Sequence, residues 1–164
     1  MKLDPKSVLI YDTTLRDGEQ TPGVAFTPEQ KMELTKLLDR MGVPLVNVGY
    51  PAVSEDERAG VRAIMKARDQ GEIGCRLAVL SRPLRSDIDC ALDCGSDLLS
   101  FFLPTSDIHL RTKFGSDGRD KIMRMLEEGA EYATRKGAAW GFAAEDTTRT
   151  EFEFLVRVFR RSQE

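Results

Sequence analysis

The chain has 164 residues, 24 Lys+Arg against 27 Asp+Glu, which is room for one domain but short of the ~250 residues of a closed eight-fold (β/α) barrel. The near-balanced charge, without a basic block or interleaved aromatics, leaves no electrostatic footprint for nucleic acid and points instead to a small or anionic metabolite as partner. No apolar run approaches the ~18 residues of a membrane span and the N-terminus lacks the charged, apolar, small order of a signal peptide, so the expected setting is cytoplasmic, away from any membrane.

In chain order, short apolar runs alternate with longer amphipathic segments, the pattern of parallel strands buried on both faces. The first run covers 8–11. Thr27, Pro28 and Gln30 then predict a capped helix start, with the helix running to about Met41 and stopped by Gly42. A second run covers 45–49. Ser54 and Glu57 repeat the capping box before Val61, Ile64 and Met65 mark an apolar face, and Gly71 closes that helix. A third run, 75–80, precedes a helix over 84–93 that ends before Gly95. Cys75, Cys90 and Cys94 cannot all pair and show no Cys-x-x-Cys spacing, which argues against a disulfide framework or a zinc knuckle. One helical turn separates Cys90 from Cys94, as expected of small side chains on a buried helix face. The fourth run is 98–103, followed by a helix over 120–136 before Gly137. A fifth run at 138–144 leads to a last helix starting near Thr150. Without a linker or composition break, the chain is one array of about five βα units, either an open doubly wound sheet or an arc of a barrel. Both place chemistry at the C-terminal strand ends.

The first such end carries Asp12-Thr13-Thr14-Leu15-Arg16-Asp17-Gly18-Glu19-Gln20-Thr21-Pro22-Gly23. A guanidinium beside a carboxylate there can polarise a carbonyl while the acid binds a hard cation. A surface loop held by an Arg–Asp ion pair is the competing reading. With Tyr11, this string resembles the signature of the DRE-TIM metallolyases, a family that includes 2-isopropylmalate, homocitrate and citramalate synthases and 3-hydroxy-3-methylglutaryl-CoA lyase. The resemblance continues through Val48-Gly49-Tyr50-Pro51-Ala52, Pro104-Thr105-Ser106-Asp107-Ile108-His109-Leu110 and Ala144-Glu145-Asp146-Thr147-Thr148-Arg149-Thr150.

It implies an α/β fold, a parallel (β/α) TIM barrel of which residues 1–164 form the N-terminal part, with strands six to eight absent. It also implies a Claisen-type condensation of acetyl-CoA with a 2-oxo acid. Arg16 would stabilise the ketone oxygen, Asp17 would bind a divalent metal (Mn²⁺, Mg²⁺ or Zn²⁺), and Gln20 would hydrogen-bond substrate. Glu145 is the candidate for acid–base work or substrate positioning, with a helix-capping acid as the alternative. Thr105 and Ser106 could bind substrate oxygens or form a turn, and His109 stands between substrate contact and plain loop residue. Arg149 is expected to pair with Asp146. The residues after the Arg-Asp-Gly favour the synthase branch over the lyases, and Asn47 stands where the synthases usually carry glutamate. The family's two further metal ligands, a His-x-His pair on a later strand, have no counterpart in a chain with one histidine. A second polypeptide supplying that half, a truncation, and a non-catalytic metabolite-binding module are the three readings; a homodimer is a further possibility by family.

Overall fold

Parallel strands joined by helices can wind in one direction or reverse, and the strand order decides between an arc of a barrel and a doubly wound sheet. The computed structural model describes residues 8–164, so most of the N-terminal segment read above for a leader lies outside the described residues. Five strands form one sheet: β1 (Tyr11–Asp12), β2 (Leu45–Asn47), β3 (Arg76–Ser81), β4 (Leu98–Pro104) and β5 (Trp140–Glu145). They pair in the order β1-β2-β3-β4-β5, every neighbour parallel. Without a reversal, right-handed crossovers carry the connecting helices to one face, so the sheet is an incomplete barrel. The doubly wound alternative is excluded.

The helices are α1 (Pro28–Arg40), α2 (Glu55–Asp69), α3 (Arg85–Asp93), α4 (Asp107–Phe114), α5 (Gly118–Arg135) and α6 (Phe152–Gln163). Thr27 and Gln30 close the full capping box before α1. At α2 only half of it forms: Ser54 Oγ accepts from Glu57 N, but the Glu57 carboxylate turns to Lys31 and Tyr50 N instead. The first strand is shorter than its apolar run, because at this edge only Tyr11 and Asp12 find partners on β2; Val8 and Ile10 are exposed. Helix α4 was not expected from periodicity. Ser106 caps its start, Gly115 at φ 78° ends it, and Leu110 is its one buried residue, too little to print an apolar stripe.

The core lies between the sheet and the helices. Val46, Val48, Leu77, Val79, Leu99 and Phe101 pack against Val61, Ile64 and Met65 of α2 and Ile88 and Ala91 of α3. A second cluster joins Leu103 and Leu110 to Ile122, Leu126, Phe154 and Val158. All three cysteines are buried and unpaired. The alternate strand residues, Asn47, Leu80, Ser100, Phe102, Ala143 and Glu145, line a cavity on the inner face. No helix among the described residues is long and apolar enough to cross a membrane.

Candidate active site at the strand ends

The turn after β1 is built by its own side chains and backbone. Asp12 accepts from Thr14 N at 2.9 Å and from Thr14 Oγ1 at 3.1 Å. The Thr13 carbonyl receives the N–H groups of Arg16, Asp17 and Gly18 at 3.0, 2.8 and 3.3 Å. Leu15 is driven into the core, and a 3₁₀ turn over Gly18–Gln20 follows. The result is that Arg16, Asp17 and Gln20 line one cavity of about 390 Å³ together with Glu145 from the far end of the sheet. Arg16 donates to the Asp17 carboxylate. Asp17 is about half exposed and Arg16 largely covered.

A buried cation holds this turn in place. Lys31, 5% exposed, reaches Glu19 Oε2 at 2.8 Å and Glu57 Oε2 at 2.7 Å. Glu19 Oε1 accepts from Phe26 N and Glu57 Oε1 from Tyr50 N, each at 3.0 Å. Burial disfavours the Lys31 charge, but the two carboxylates outweigh it and raise its pKa. For Glu19 burial again opposes the charge, and Lys31 and the Phe26 N–H bring the pKa below its ordinary value. Glycine is required beside this clamp: at Gly49, φ 139°, a Cβ would lie 2.0 Å from Glu57 Oε1. Sequence reasoning missed the clamp. Its one legible trace is that Lys31 and Thr35, four apart on α1, occupy the face that packs inward.

The next loop is tied in the same manner. Tyr50 donates to Asp87 Oδ2 at 2.7 Å, and Arg82 binds the same carboxylate through two N–H groups at 2.8 and 2.9 Å. Burial works against the Asp87 charge, yet Arg82 and Tyr50 hold its pKa below the ordinary carboxylate value.

At the end of β5, Glu145 receives Lys113 Nζ at 2.8 and 3.2 Å, and His109 Nδ1 stands 3.6 Å from Glu145 Oε1. That imidazole nitrogen is buried without a hydrogen-bond partner. Thr105 and Ser106 are buried and do not line the cavity. The Thr105 hydroxyl meets Thr150 Oγ1 at 2.6 Å, and Ser106 Oγ accepts from His109 N to cap α4. The structure therefore gathers Arg16, Asp17, Gln20 and Glu145, sets His109 beside Glu145, and engages both hydroxyls in the backbone frame. Arg149 pairs with Asp146 at 2.7 Å. Among the described residues no three His, Cys, Asp or Glu side chains converge as a metal would require. Asp17 offers one carboxylate, and the donors present do not complete a divalent-metal site.

A family model described as HMGL-like matches residues 7–164. The chain belongs to the HMGL-like family. The DRE-TIM resemblance read from the motifs is thus confirmed. This HMGL-like chain is 49% identical over 160 residues to homocitrate synthase AksA of Methanopyrus kandleri, covering 98% of the chain and 39% of that protein. It is 39% identical over 158 residues to 2-isopropylmalate synthase of Methanocaldococcus jannaschii, covering 96% of the chain and 30% of that protein. The chain thus spans less than two fifths of the length of these relatives, their N-terminal part. A crystal structure of Bacillus subtilis HMG-CoA lyase superposes with a TM-score of 0.75 at 19% identity, covering 96% of this chain and 54% of that one. That likeness shows the fold, an HMGL-like barrel present in part.

Proposed function

We propose that this chain supplies the ketone-polarising part of a Claisen-condensation site that joins acetyl-CoA to a 2-oxo acid. The observation that carries the reading is the meeting of Arg16, Asp17 and Gln20 from one edge of the sheet with Glu145 from the other at a single cavity. The reaction removes a proton from the acetyl methyl group, adds the enolate to the ketone carbon, and hydrolyses the thioester to free CoA. Arg16 stabilises the ketone oxygen as it becomes an alkoxide, a charge that develops only on the way to the transition state. Gln20 hydrogen-bonds the 2-oxo acid. Glu145, its carboxylate fixed by Lys113 and flanked by His109, positions substrate or exchanges a proton with it. Asp17 is one donor to a divalent metal whose other ligands lie outside the described residues. Residues 1–164 act as the N-terminal part of the barrel, and the remaining strands complete it.

The test is to co-produce the chain with a polypeptide carrying those strands and to follow CoA release from acetyl-CoA with 2-oxoisovalerate, 2-oxoglutarate or pyruvate, with Mn²⁺ or Mg²⁺ added. Turnover is expected for the pair and not for the chain alone. Arg16→Ala should lower kcat by about a hundredfold or more while the circular dichroism stays unchanged. A near-normal rate for Arg16→Ala would refute its role, and release of CoA by the chain alone would remove the need for a partner.

A further inference from the structure

Asn47 sits within β2, 2% exposed, and both ends of its amide are held. Oδ1 accepts from the backbone N–H of Gly49 at 3.1 Å, and Nδ2 donates to the Tyr11 hydroxyl at 2.8 Å. A backbone N–H can only donate, so the amide oxygen must face Gly49 and the nitrogen must face Tyr11. The phenol oxygen of Tyr11 is thereby an acceptor, and its own hydrogen has to point elsewhere. The Ser100 hydroxyl and the Asp17 and Arg16 side chains are the other polar groups that act on it. The phenol hydrogen is not used in the Asn47 contact, and the side chain that carries it lines the cavity. Leu80 and Phe102, which share that wall, offer no side-chain acceptor, while Asp17, Gln20 and Glu145 line the same cavity and can accept. Tyr11 keeps 36% of its surface open. Burial is the largest influence on the phenol and holds its pKa above the ordinary value against the pull of Ser100 and Asn47, so the group stays a neutral donor.

We propose that Tyr11 is a substrate-binding hydrogen-bond donor to a carboxylate oxygen of the 2-oxo acid, and that Asn47 is the positioning residue that sets the direction of that bond. This rests on the function proposed above. In a 2-oxo acid the carboxylate is bonded to the ketone carbon, so a ligand whose ketone oxygen meets Arg16 carries its carboxylate into the same cavity, where Tyr11 has a hydrogen to give. A carboxylate at position 47 would accept from Tyr11 and withdraw that hydrogen. An asparagine there gives the contact the opposite polarity and frees the donor.

The experiment is calorimetric titration of the full chain with 2-oxoisovalerate, for Tyr11→Phe, for the isosteric Asn47→Asp, and for the double variant. Loss of one hydrogen bond to a charged group weakens binding by about tenfold or more, which is the effect expected of Tyr11→Phe. Asn47→Asp should weaken binding in the parent chain by more than its added charge costs in the Tyr11→Phe background, since only the parent has a phenol hydrogen to lose. With ¹³C at the tyrosine Cζ, the Tyr11 resonance should shift on ligand addition, a readout independent of any change in fold. Binding by Tyr11→Phe within about twofold of the parent, or equal cost of Asn47→Asp in both backgrounds, overturns the proposal. Arg16→Ala separates the two readings. Its failure to weaken binding counts against the proposed function, its effect without one at Tyr11 counts against Tyr11 alone, and no binding by the parent chain counts against both.

Discussion

Replacing Lys31 by Met removes the ammonium and keeps most of the stem, leaving Glu19 and Glu57 facing the vacated position without a cation. Breaking a buried ion pair costs about 3–5 kcal/mol, and the partly exposed carboxylates, 28% and 20%, place this case near the lower figure. For a chain of this size, about 3 kcal/mol corresponds to a fall in Tm of roughly 6–12 °C. The pH dependence follows from the directions of the shifts. The Lys31 pKa is raised in the folded chain, so its contribution is complete below the ordinary lysine value and fades as pH rises through the folded one. The Glu19 pKa is lowered from 4.5, so its contribution is complete above that value and fades as pH falls through the folded one. The difference in Tm between parent and Lys31→Met should therefore be widest between about pH 5 and pH 10 and should narrow towards acid. Differential scanning calorimetry across that range gives the curve, and amide exchange at Phe26 and Tyr50 reports whether both loops loosen together. Adding Glu19→Gln and Glu57→Gln should recover part of the loss, because glutamine oxygens still accept from those amides without leaving charge unpaired. A Tm within about 2 °C of the parent, or a difference unchanged down to about pH 3, would refute the clamp.

Two further outcomes test the packing. A Cβ at Gly129 of α5 would lie 2.4 Å from Pro83 Cβ and 2.6 Å from the Pro83 carbonyl oxygen. Gly129→Ala should cost about 2–3 kcal/mol in urea unfolding despite the gain in helix propensity of about 1 kcal/mol; an unchanged midpoint would mean that α5 does not seat against that loop. Burial first, and the Asp39 charge second, push the Cys75 thiol up to about 11. Iodoacetamide at about pH 8 should leave it unmodified in the native chain and alkylate it after unfolding; a native thiol reacting at the free rate would contradict that burial.

The fold was most legible where burial is two-sided. Residues 75–80 and 98–103 read as strands because β3 and β4 have neighbours on both edges and apolar contacts on the helix face. The run at 8–11 over-reads β1, since an edge strand needs backbone partners that the apolar pattern cannot supply. Arg16 and Asp17 were legible because they are contiguous and their turn is closed by local bonds from Asp12 and Thr13. Tyr11 was read as the end of a strand and the first residue of the signature string, with no role of its own. Its partner is Asn47, 36 positions away, and nothing in either local pattern states that β1 and β2 set them side by side. A polar residue interrupting an apolar strand, as Asn47 and Ser100 both do, was the available signal for a cavity-facing position.

The networks behind the site share a property that bears on how it is assembled. Lys31 joins the loop after β1 to that after β2, Asp87 joins the loop after β2 to that after β3, and Lys113 joins α4 to the end of β5. Each anchor runs between consecutive βα units, so each can form once two neighbouring units have docked. The orientation of Arg16 and Asp17 is set within the first two units and does not need a closed barrel. On the function proposed above, what the remaining strands have to bring is therefore metal donors and a dry wall, because Arg16 and Asp17 are already held in place. Arg16→Ala, on this argument, should leave the association constant of the two parts unchanged within about threefold while removing turnover, whereas Lys31→Met should weaken both.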